Sequence, residues 1–241
     1  MSLPRVRLDN SVPEGDSVWV LEEEQSRHLM TVRRCRGGEF FEGLLPGRKI
    51  LLRLEICGNQ ARGVKVMETP EEPIPEVWLL AGLLKGESFN RLLSQSVEAG
   101  ASVVVPLVCS RSVPVLDPSR MTRKMERWQK IILEASKQCS APTPTRIMDP
   151  VAISSLGSFS LPYSRFVAVA GASSKITEFR PPGAAVVAIG PEGDWTEEEM
   201  EILQQQGFIP VSLGRRVMRA HTAALVAVAF LSLQSGGEMN E

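Results

Sequence analysis

Apolar and polar positions follow two different rhythms along the chain, and the change falls near residue 70. Before it, short apolar-rich segments separated by glycine turns predict the strands of a small β-barrel. We expect these strands at 18–21, 39–44, 49–56 and 61–68. Residues 22–34 differ, because their spacing predicts a short helix with Leu29 and Val32 facing inward.

Beyond the break, continuous apolar runs alternate with segments of helical periodicity. The runs are typical of strands buried on both faces of a parallel sheet, and they lie at 77–84, 102–108, 165–170, 184–189 and 208–213. Helices are expected at 89–99, at 222–233, and from an Asp117-Pro118 start to about residue 138. A capping box from Thr196 to Glu199 opens another helix. This strand–helix order predicts an α/β fold with a mostly parallel sheet.

Three prolines among acidic residues at 68–75 favour an extended linker between the two regions. We therefore predict a small β-barrel domain at 1–70, a linker at 71–75 and an α/β domain at 76–241.

The composition is that of an ordinary soluble globular protein, with 43% hydrophobic and 23% charged residues and a net charge of −1. That net charge gives no overall sign of nucleic-acid binding. Basic residues are concentrated at 110–137 and 215–219, as they also would be on a solvated helix face. The four cysteines are scattered, which argues strongly against a sequence-coded zinc site and weakly against a disulfide scaffold, so we expect reduced thiols and no metal. Without a bilayer-spanning apolar run or a signal-peptide pattern, we expect a cytoplasmic protein that has no membrane partner.

Two strand-to-helix loops carry most of the candidate chemistry. They are GPEGDWT at 190–196 and LGRRVMRAHTA at 213–223, and ligands of open α/β sheets bind at such loops. The absence of a Walker loop, a GxGxxG fingerprint and a Ser/Cys–His elbow disfavours nucleotide phosphates, nicotinamide and acyl transfer. Backbone groups, the Glu192 carboxylate and apolar walls suit a neutral or cationic ligand with a purine face. A tight turn alone would also explain Gly190 and Gly193.

Together the two loops resemble the signature of the ribosomal RNA small subunit methyltransferase E family of SPOUT methyltransferases, which is GPEGG followed by LGxRxLRxETA. The similarity continues in order through most of the chain. It includes His28 with Val32-Arg33-Arg34, the segment 95–100, Pro106-Leu107 with Ser110-Arg111, and the long-helix segments 127–131 and 134–139.

The resemblance implies a PUA-like β-barrel followed by an α/β domain with a deep trefoil knot, in an obligate homodimer. It also implies methyl transfer from S-adenosylmethionine, held in the knot loops, to N3 of a uridine. The substrate would be small-subunit ribosomal RNA or the assembled small subunit. The cofactor-binding residues expected from it are Ile189, Gly190, Pro191, Glu192, Gly193, Leu213, Gly214, Val217, Met218 and Thr222.

Arg219 occupies the place of an arginine in the family signature, and we expect it to stabilise the uridine anion that forms when N3 loses its proton. A salt bridge that holds the loop to the dimer partner is the alternative role. Further arginines are expected to contact RNA phosphates, and these are Arg33, Arg34, Arg36, Arg111 and Arg216. We expect Trp128 in the core rather than in base stacking.

The chain departs from the family pattern at four places. Asp194 replaces the second glycine of GPEGG, His221 replaces the glutamate of RxETA, and Gln95 replaces a lysine. Residues 140–142 lack the usual arginine. Asp194 is tolerated unless the position needs a positive φ, a region that aspartate still adopts more readily than most residues. His221 either accepts the N3 proton or packs beside Met218. The departures leave two alternatives: a catalytically impaired or divergent paralogue that acts as an RNA-binding ribosome assembly factor, and a ribose 2′-O methyltransferase.

Overall fold

The computed structural model describes residues 3–9, 11–70, 75–112, 118–139, 141 and 143–234. Its contacts divide the chain into two units, one of Met1–Pro73 with Ser136–Pro144 and one of Ile74–Ala135 with Thr145–Glu241. Residues 71–74 of the predicted linker and the predicted helix cap Asp117 lie outside the described residues.

The first unit is built on one sheet, and each predicted strand of this region is confirmed within two residues at either end. Its elements are β1 (Arg5–Arg7), β2 (Val12–Glu14), β3 (Val18–Val20), α1 (Glu23–Arg27), a π-helical turn (His28–Val32), β4 (Phe40–Leu45), β5 (Arg48–Cys57) and β6 (Gln60–Pro70). The strand order is β1-β4-β5-β6-β3-β2, and β1 pairs parallel with β4 while the other pairs are antiparallel. The sheet is a half-barrel, so the predicted β-barrel is confirmed only in part.

Two glycines in this sheet make room for large side chains of the first unit's core. A Cβ on Gly63 would lie 2.7 Å from the Phe41 ring, and a Cβ on Gly43 would overlap the Leu8 side chain. The predicted helix at 22–34 divides into α1 and the π-helical turn, with Leu29 fully buried as expected. Val32 was expected to face inward and is instead 62% exposed. The wider π-helical turn rotates position 32 away from the face that buries position 29, so this expectation was wrong.

The second unit alternates strands and helices around a second sheet. Its elements are β7 (Val77–Gly82), α2 (Glu87–Glu98), β8 (Val103–Val108), α3 (Pro118–Cys139), β9 (Arg146–Ile147), β10 (Val151–Ala152), β11 (Ser164–Ala168), β12 (Ala185–Ile189), α4 (Glu197–Gln205), β13 (Ile209–Val211) and α5 (Ala220–Gln234). The strand order is β10-β8-β7-β12-β11-β13, with β9 beside β8, and every pair is parallel. The predicted α/β fold with a mostly parallel sheet is therefore confirmed.

Apolar side chains cover both faces of this sheet, which explains why its central strands are continuous apolar runs. Successive residues of a strand point to opposite faces, so Leu79 joins the core under α2, α3 and α5 while Leu80 joins the core under α4. The Phe89 ring of α2 packs on the Trp128 ring of α3, with centroids 4.7 Å apart. Trp128 is 2% exposed, which confirms its expected place in the core.

The start of α4 is fastened to the loop that follows β8. Thr196 and Glu199 form the predicted capping box, in which the Thr196 hydroxyl accepts from the Glu199 N–H at 3.2 Å. The Glu199 carboxylate, 2% exposed, accepts from the Thr196 N–H at 2.9 Å and from the Ser110 N–H at 2.6 Å. One buried carboxylate therefore satisfies backbone donors on two neighbouring loops. No helix in the described ranges is long and apolar enough to cross a membrane.

We expect Glu199→Ala to destabilise the protein by about 2 to 4 kcal/mol, because the Ser110 and Thr196 N–H groups lose the buried carboxylate that accepts from both. Glu199→Gln keeps one oxygen acceptor, and we expect roughly half that loss. Urea unfolding followed by circular dichroism measures both values. Glu201→Ala on the exposed side of α4 is the matched control and is expected to change stability by less than about 0.5 kcal/mol. Equal losses in Glu199→Ala and Glu201→Ala would contradict a stabilising role for the buried carboxylate.

Candidate active site

A cavity of about 600 Å³ opens at the carboxyl ends of β7, β11, β12 and β13. The two loops that the sequence singled out, 190–196 and 213–219, form much of its wall. Predicted site residues that line it are Ile189, Gly190, Pro191, Glu192, Leu213, Gly214, Arg216, Val217, Met218, Arg219 and His221. Gly193 and Thr222 were predicted with this group but do not line the cavity.

The backbone of the loop at 190–196 packs directly against the end of β7, with no side chain between them. A Cβ on Gly82, the last residue of β7, would lie 2.5 Å from the Pro191 nitrogen. A Cβ on Gly190 would lie 3.2 Å from the Trp195 ring. Sequence reasoning missed Gly82, although a glycine that ends a buried apolar strand is a signal of close backbone approach.

A hydrogen-bonded turn fixes the shape of this loop. Asp194 has φ 62°, its N–H donates to the Pro191 carbonyl at 3.0 Å, and its carboxylate accepts from the Trp195 N–H at 2.9 Å. The Trp195 indole N–H donates to the Ala168 carbonyl at the end of β11, at 3.3 Å. The position therefore requires a positive φ, and aspartate is one of the few non-glycine residues that adopts it readily.

Arg111 supports the same loop from the side of β8. Its guanidinium donates to the Gly193 carbonyl at 3.0 Å and to the Trp195 carbonyl at 3.3 Å. A Cβ on Gly193 would lie 2.7 Å from the Arg111 Cβ, so this glycine is needed for contact with Arg111. Arg111 therefore holds the loop in place. The sequence had suggested only a contact with RNA phosphate for this residue.

The nearest thiol is not suited to nucleophilic chemistry. Burial, and secondarily the negative charge of Glu199, raises the pKa of Cys109 to about 12. Cys109 is 5% exposed and lies directly after β8. Because the thiolate is the reactive form of cysteine, this side chain stays protonated and inert near neutral pH.

The second loop carries the basic side chains into the start of α5. Ser212 and Gly214 form a small turn at its base, where Gly214 has φ 143° and its N–H donates to the Ser212 hydroxyl at 3.3 Å. Arg219 is the residue before α5, and its carbonyl accepts from the Ala223 N–H at 2.9 Å. Arg219 is exposed, and His221, two residues further on, is half-buried in the cavity wall.

Helix α2 also reaches the cavity, which the sequence did not indicate. Glu87, Ser88 and Arg91 of this helix line the wall. The Glu87 carboxylate accepts hydrogen bonds from the Asn90 amide at 3.1 Å and from the Arg127 guanidinium at 2.7 Å, and these bonds hold the pKa of Glu87 below its ordinary value. Helix α2 follows β7, whereas the two predicted loops follow β12 and β13. Only the folded sheet brings the residues of α2 to the site.

The remaining predicted RNA contacts, Arg33, Arg34 and Arg36, belong to the first unit. All three are exposed and surround the buried Cys35, whose N–H donates to the Leu29 carbonyl at 2.9 Å. Arg34 has φ 55°. Burial, and then the positive charge of Arg33, lowers the pKa of His28 below its ordinary value. The segment therefore presents a group of positive charges that make no ion pair with any residue the structure describes.

Comparison with known proteins identifies relatives of the whole chain. Residues 70–232 match a family model described as an RNA methyltransferase domain. Ribosomal RNA small subunit methyltransferase E of Bacillus subtilis is 33% identical, over 95% of this chain and 95% of its own length. The protein of the same name from Synechocystis sp. is 32% identical, over 87% of this chain and 71% of its own length.

A solved structure agrees with these relatives. Ribosomal RNA small subunit methyltransferase E from Neisseria gonorrhoeae, bound to S-adenosyl methionine, superposes with a TM-score of 0.83 at 25% identity. The match covers 96% of this chain and 97% of that structure. On these findings, the chain belongs to the ribosomal RNA small subunit methyltransferase E family.

Proposed function

We propose that this protein uses S-adenosylmethionine to methylate N3 of a uridine in small-subunit ribosomal RNA. The observation that carries the proposal is the cavity at the carboxyl edge of the parallel sheet, because both loops with the family signature form its wall. The family and its cofactor-bound relative make S-adenosylmethionine the cofactor. The choice of uridine N3 rests on the family resemblance of the two loops, and the substrate is free RNA or the cytoplasmic small subunit.

The residues of the cavity fit S-adenosylmethionine. A volume of about 600 Å³ is in the range of sites for ligands of this size, and the walls at Ile189, Leu213 and Met218 are apolar. The glycines let backbone groups approach an adenine edge closely, and the Glu192 carboxylate offers a negative charge to a cationic ligand. We propose that the cofactor is held by Ile189, Gly190, Pro191, Glu192, Leu213, Gly214, Val217 and Met218, with Gly193 and Thr222 supporting the loops.

When bound, S-adenosylmethionine supplies an electrophilic methyl group, and the protein has to prepare the uridine. N3 carries a proton that must leave before the nitrogen can act as a nucleophile, and the base must be unpaired to expose it. We propose that the Arg219 guanidinium stabilises the negative charge that develops on the uridine. His221, in the same wall, accepts the proton.

Two finer structural proposals accompany this function. The family resemblance implies that the second unit is knotted, and we propose a trefoil knot formed by the loops at 190–196 and 213–219. We also propose that residues 1–70 form a PUA-like RNA-binding domain, joined at 71–75 to a methyltransferase domain at 76–241. Arg33, Arg34 and Arg36 would there contact RNA phosphates, as Arg111 and Arg216 would in the second unit.

We further propose that the protein acts as a homodimer. Helix α5 is apolar on nearly all sides, yet Leu233 near its end is 79% exposed. A helix that is apolar all round is normally buried. On the neighbouring α2, the Gln95 side-chain oxygen is buried without a hydrogen-bond partner among the described residues. A second copy packed on these helices would cover the apolar surface.

Cofactor affinity tests the close approach of the first loop. We expect Gly82→Ala to weaken S-adenosylmethionine binding about tenfold, since the new methyl group would displace Pro191 at an overpacking cost of about 1 to 3 kcal/mol. Isothermal titration calorimetry measures the affinity. Gly183→Ala is the control, because a Cβ there meets no atom within 4 Å. Unchanged affinity in Gly82→Ala would contradict the assignment of this loop to the cofactor.

Methyl transfer tests the reaction and Arg219 together. With labelled S-adenosylmethionine and small subunits that lack the modification, nucleoside analysis is expected to show 3-methyluridine. Arg219→Ala should lower kcat about a hundredfold or more while leaving cofactor affinity unchanged, because it removes a positive charge needed only as the anion develops. Arg215→Ala removes a neighbouring arginine that does not line the cavity, and it should retain activity. Methylation at ribose, or none with cofactor binding intact, would refute the proposed reaction.

The role of His221 has its own test. We expect His221→Ala to lower kcat about a hundredfold, as for loss of a general base, and added imidazole to restore part of the rate. Single-turnover kinetics at saturating cofactor measures both effects. If the variant keeps its kcat but unfolds at a lower temperature, His221 only packs beside Met218.

A further inference from the structure

The charged side chains that line the cavity differ in whether they have hydrogen-bond or ion-pair partners among the described residues. Each of the lining carboxylates accepts a hydrogen bond: Glu87 from Arg127 and Asn90, Glu192 from the Lys85 N–H at 3.1 Å, and Asp194 from the Trp195 N–H. The lining arginines are Arg91, Arg216 and Arg219. None of their guanidinium groups makes a hydrogen bond or ion pair within the described part of the chain.

Arg91 differs from the other two arginines because it belongs to α2, whereas they belong to the loop after β13. Ser88 precedes it by three residues and therefore shares its face of the helix, and both line the cavity. The Ser88 hydroxyl has no hydrogen bond within the described residues either. Arg91 feels the negative charge of Glu87 but makes no hydrogen bond or ion pair with it. A guanidinium and a hydroxyl without hydrogen-bond partners among the described residues, and neighbouring on one helix, match the acceptors of a phosphate group.

The charge of the cofactor indicates which ligand these donors serve. S-adenosylmethionine carries a sulfonium, an ammonium and a carboxylate, so its net charge is positive and an array of arginines is unsuited to it as a whole. Glu87 does not require Arg91 as a partner, because Arg127 and Asn90 already donate to both of its oxygens. The ligand that complements arginines on two walls of one cavity is a polyanion.

From this geometry we propose that Arg91, together with Ser88, binds a backbone phosphate of the RNA strand that enters the cavity. The inference rests on the proposed function, since it assigns a further contact to the RNA substrate. Arg91 on α2 and Arg216 on the loop after β13 then both contact the strand, which leaves Arg219 for the base. Arg91 is a substrate-binding residue in this scheme, and it takes no part in proton or methyl transfer.

Kinetics and binding with Arg91→Gln test the proposal. We expect KM for small subunits to rise about tenfold, with kcat and S-adenosylmethionine affinity within about twofold of wild type. The slope of log affinity against log salt for a small-subunit RNA fragment should become shallower by about 0.7, the value for one lost phosphate contact. Arg91→Lys, which keeps the charge, should recover most of the KM. Arg146→Gln removes an exposed arginine from the amino edge of the sheet and is the matched control.

Three results would overturn the proposal. The first is an unchanged KM and salt slope in Arg91→Gln, and the second is the same change in Arg146→Gln. The third is a loss of S-adenosylmethionine affinity with an unchanged salt slope, which would assign Arg91 to the cofactor carboxylate. Because the salt slope needs no turnover, it decides the role of Arg91 even if the wild-type protein forms no 3-methyluridine, a result that would refute only the proposed reaction.

Discussion

The cavity depends on how closely the backbone at 190–196 approaches the ends of the neighbouring strands. Gly82 and Gly193 leave no space for a side chain, since a Cβ on either would lie within 2.7 Å of Pro191 or Arg111. Packing this tight allows the loop little freedom to shift. The Glu199 carboxylate fixes its far end by accepting from Ser110 and Thr196. A site built this way is largely pre-formed, so little binding energy is needed to order it.

The polar groups of the second unit fall into two classes with different purposes. Those that build the loops, such as Asp194, Glu199 and Arg111, are satisfied within the protein by backbone partners. The arginines at the cavity are exposed and have no such partners among the described residues. Unpaired cations held on rigid elements are ready to meet negative charge without reorganisation, which is the condition for electrostatic stabilisation of an anionic transition state. Apart from Arg111, which is also proposed to contact RNA, the side chains that build the loops differ from those proposed to contact the substrate.

Much of this arrangement could be predicted from the sequence, because the central strands and long helices have strong periodic patterns. The parallel sheet follows from runs such as Ala185–Ile189, and the start of α4 follows from its capping box. The strands β1, β2, β9 and β10 were not predicted, because they have two or three residues each and, unlike the equally short β3 and β13, lie in no continuous apolar run. Val32 was misplaced because a π-helical turn has no distinct sequence signal.

The sequence predicted those parts of the candidate site in which one continuous segment carries a recognisable motif. Both signature loops are such segments, and the structure brings them to one cavity. Gly82 and Arg91 were missed because neither belongs to a motif: Gly82 packs against Pro191 of the first loop, and Arg91 lines the cavity from α2. For Arg111 the charge suggested an RNA contact, which stays a prediction, and only the fold reveals that its guanidinium also donates to the Gly193 and Trp195 carbonyls.

The departures from the family signature now have unequal physical meaning. Asp194 keeps the positive φ of the glycine it replaces, and its own carboxylate stabilises the turn, so the loop proposed for the cofactor is preserved. The other departures concern charge rather than backbone shape. Gln95 lacks the charge of the lysine in that pattern, and Arg91 lies one helical turn earlier on the same helix, in the cavity wall. His221 puts a titratable ring in that wall where the family has a carboxylate. Asp194 therefore keeps the backbone shape of the first loop, whereas Gln95 and His221 change the charge at their positions.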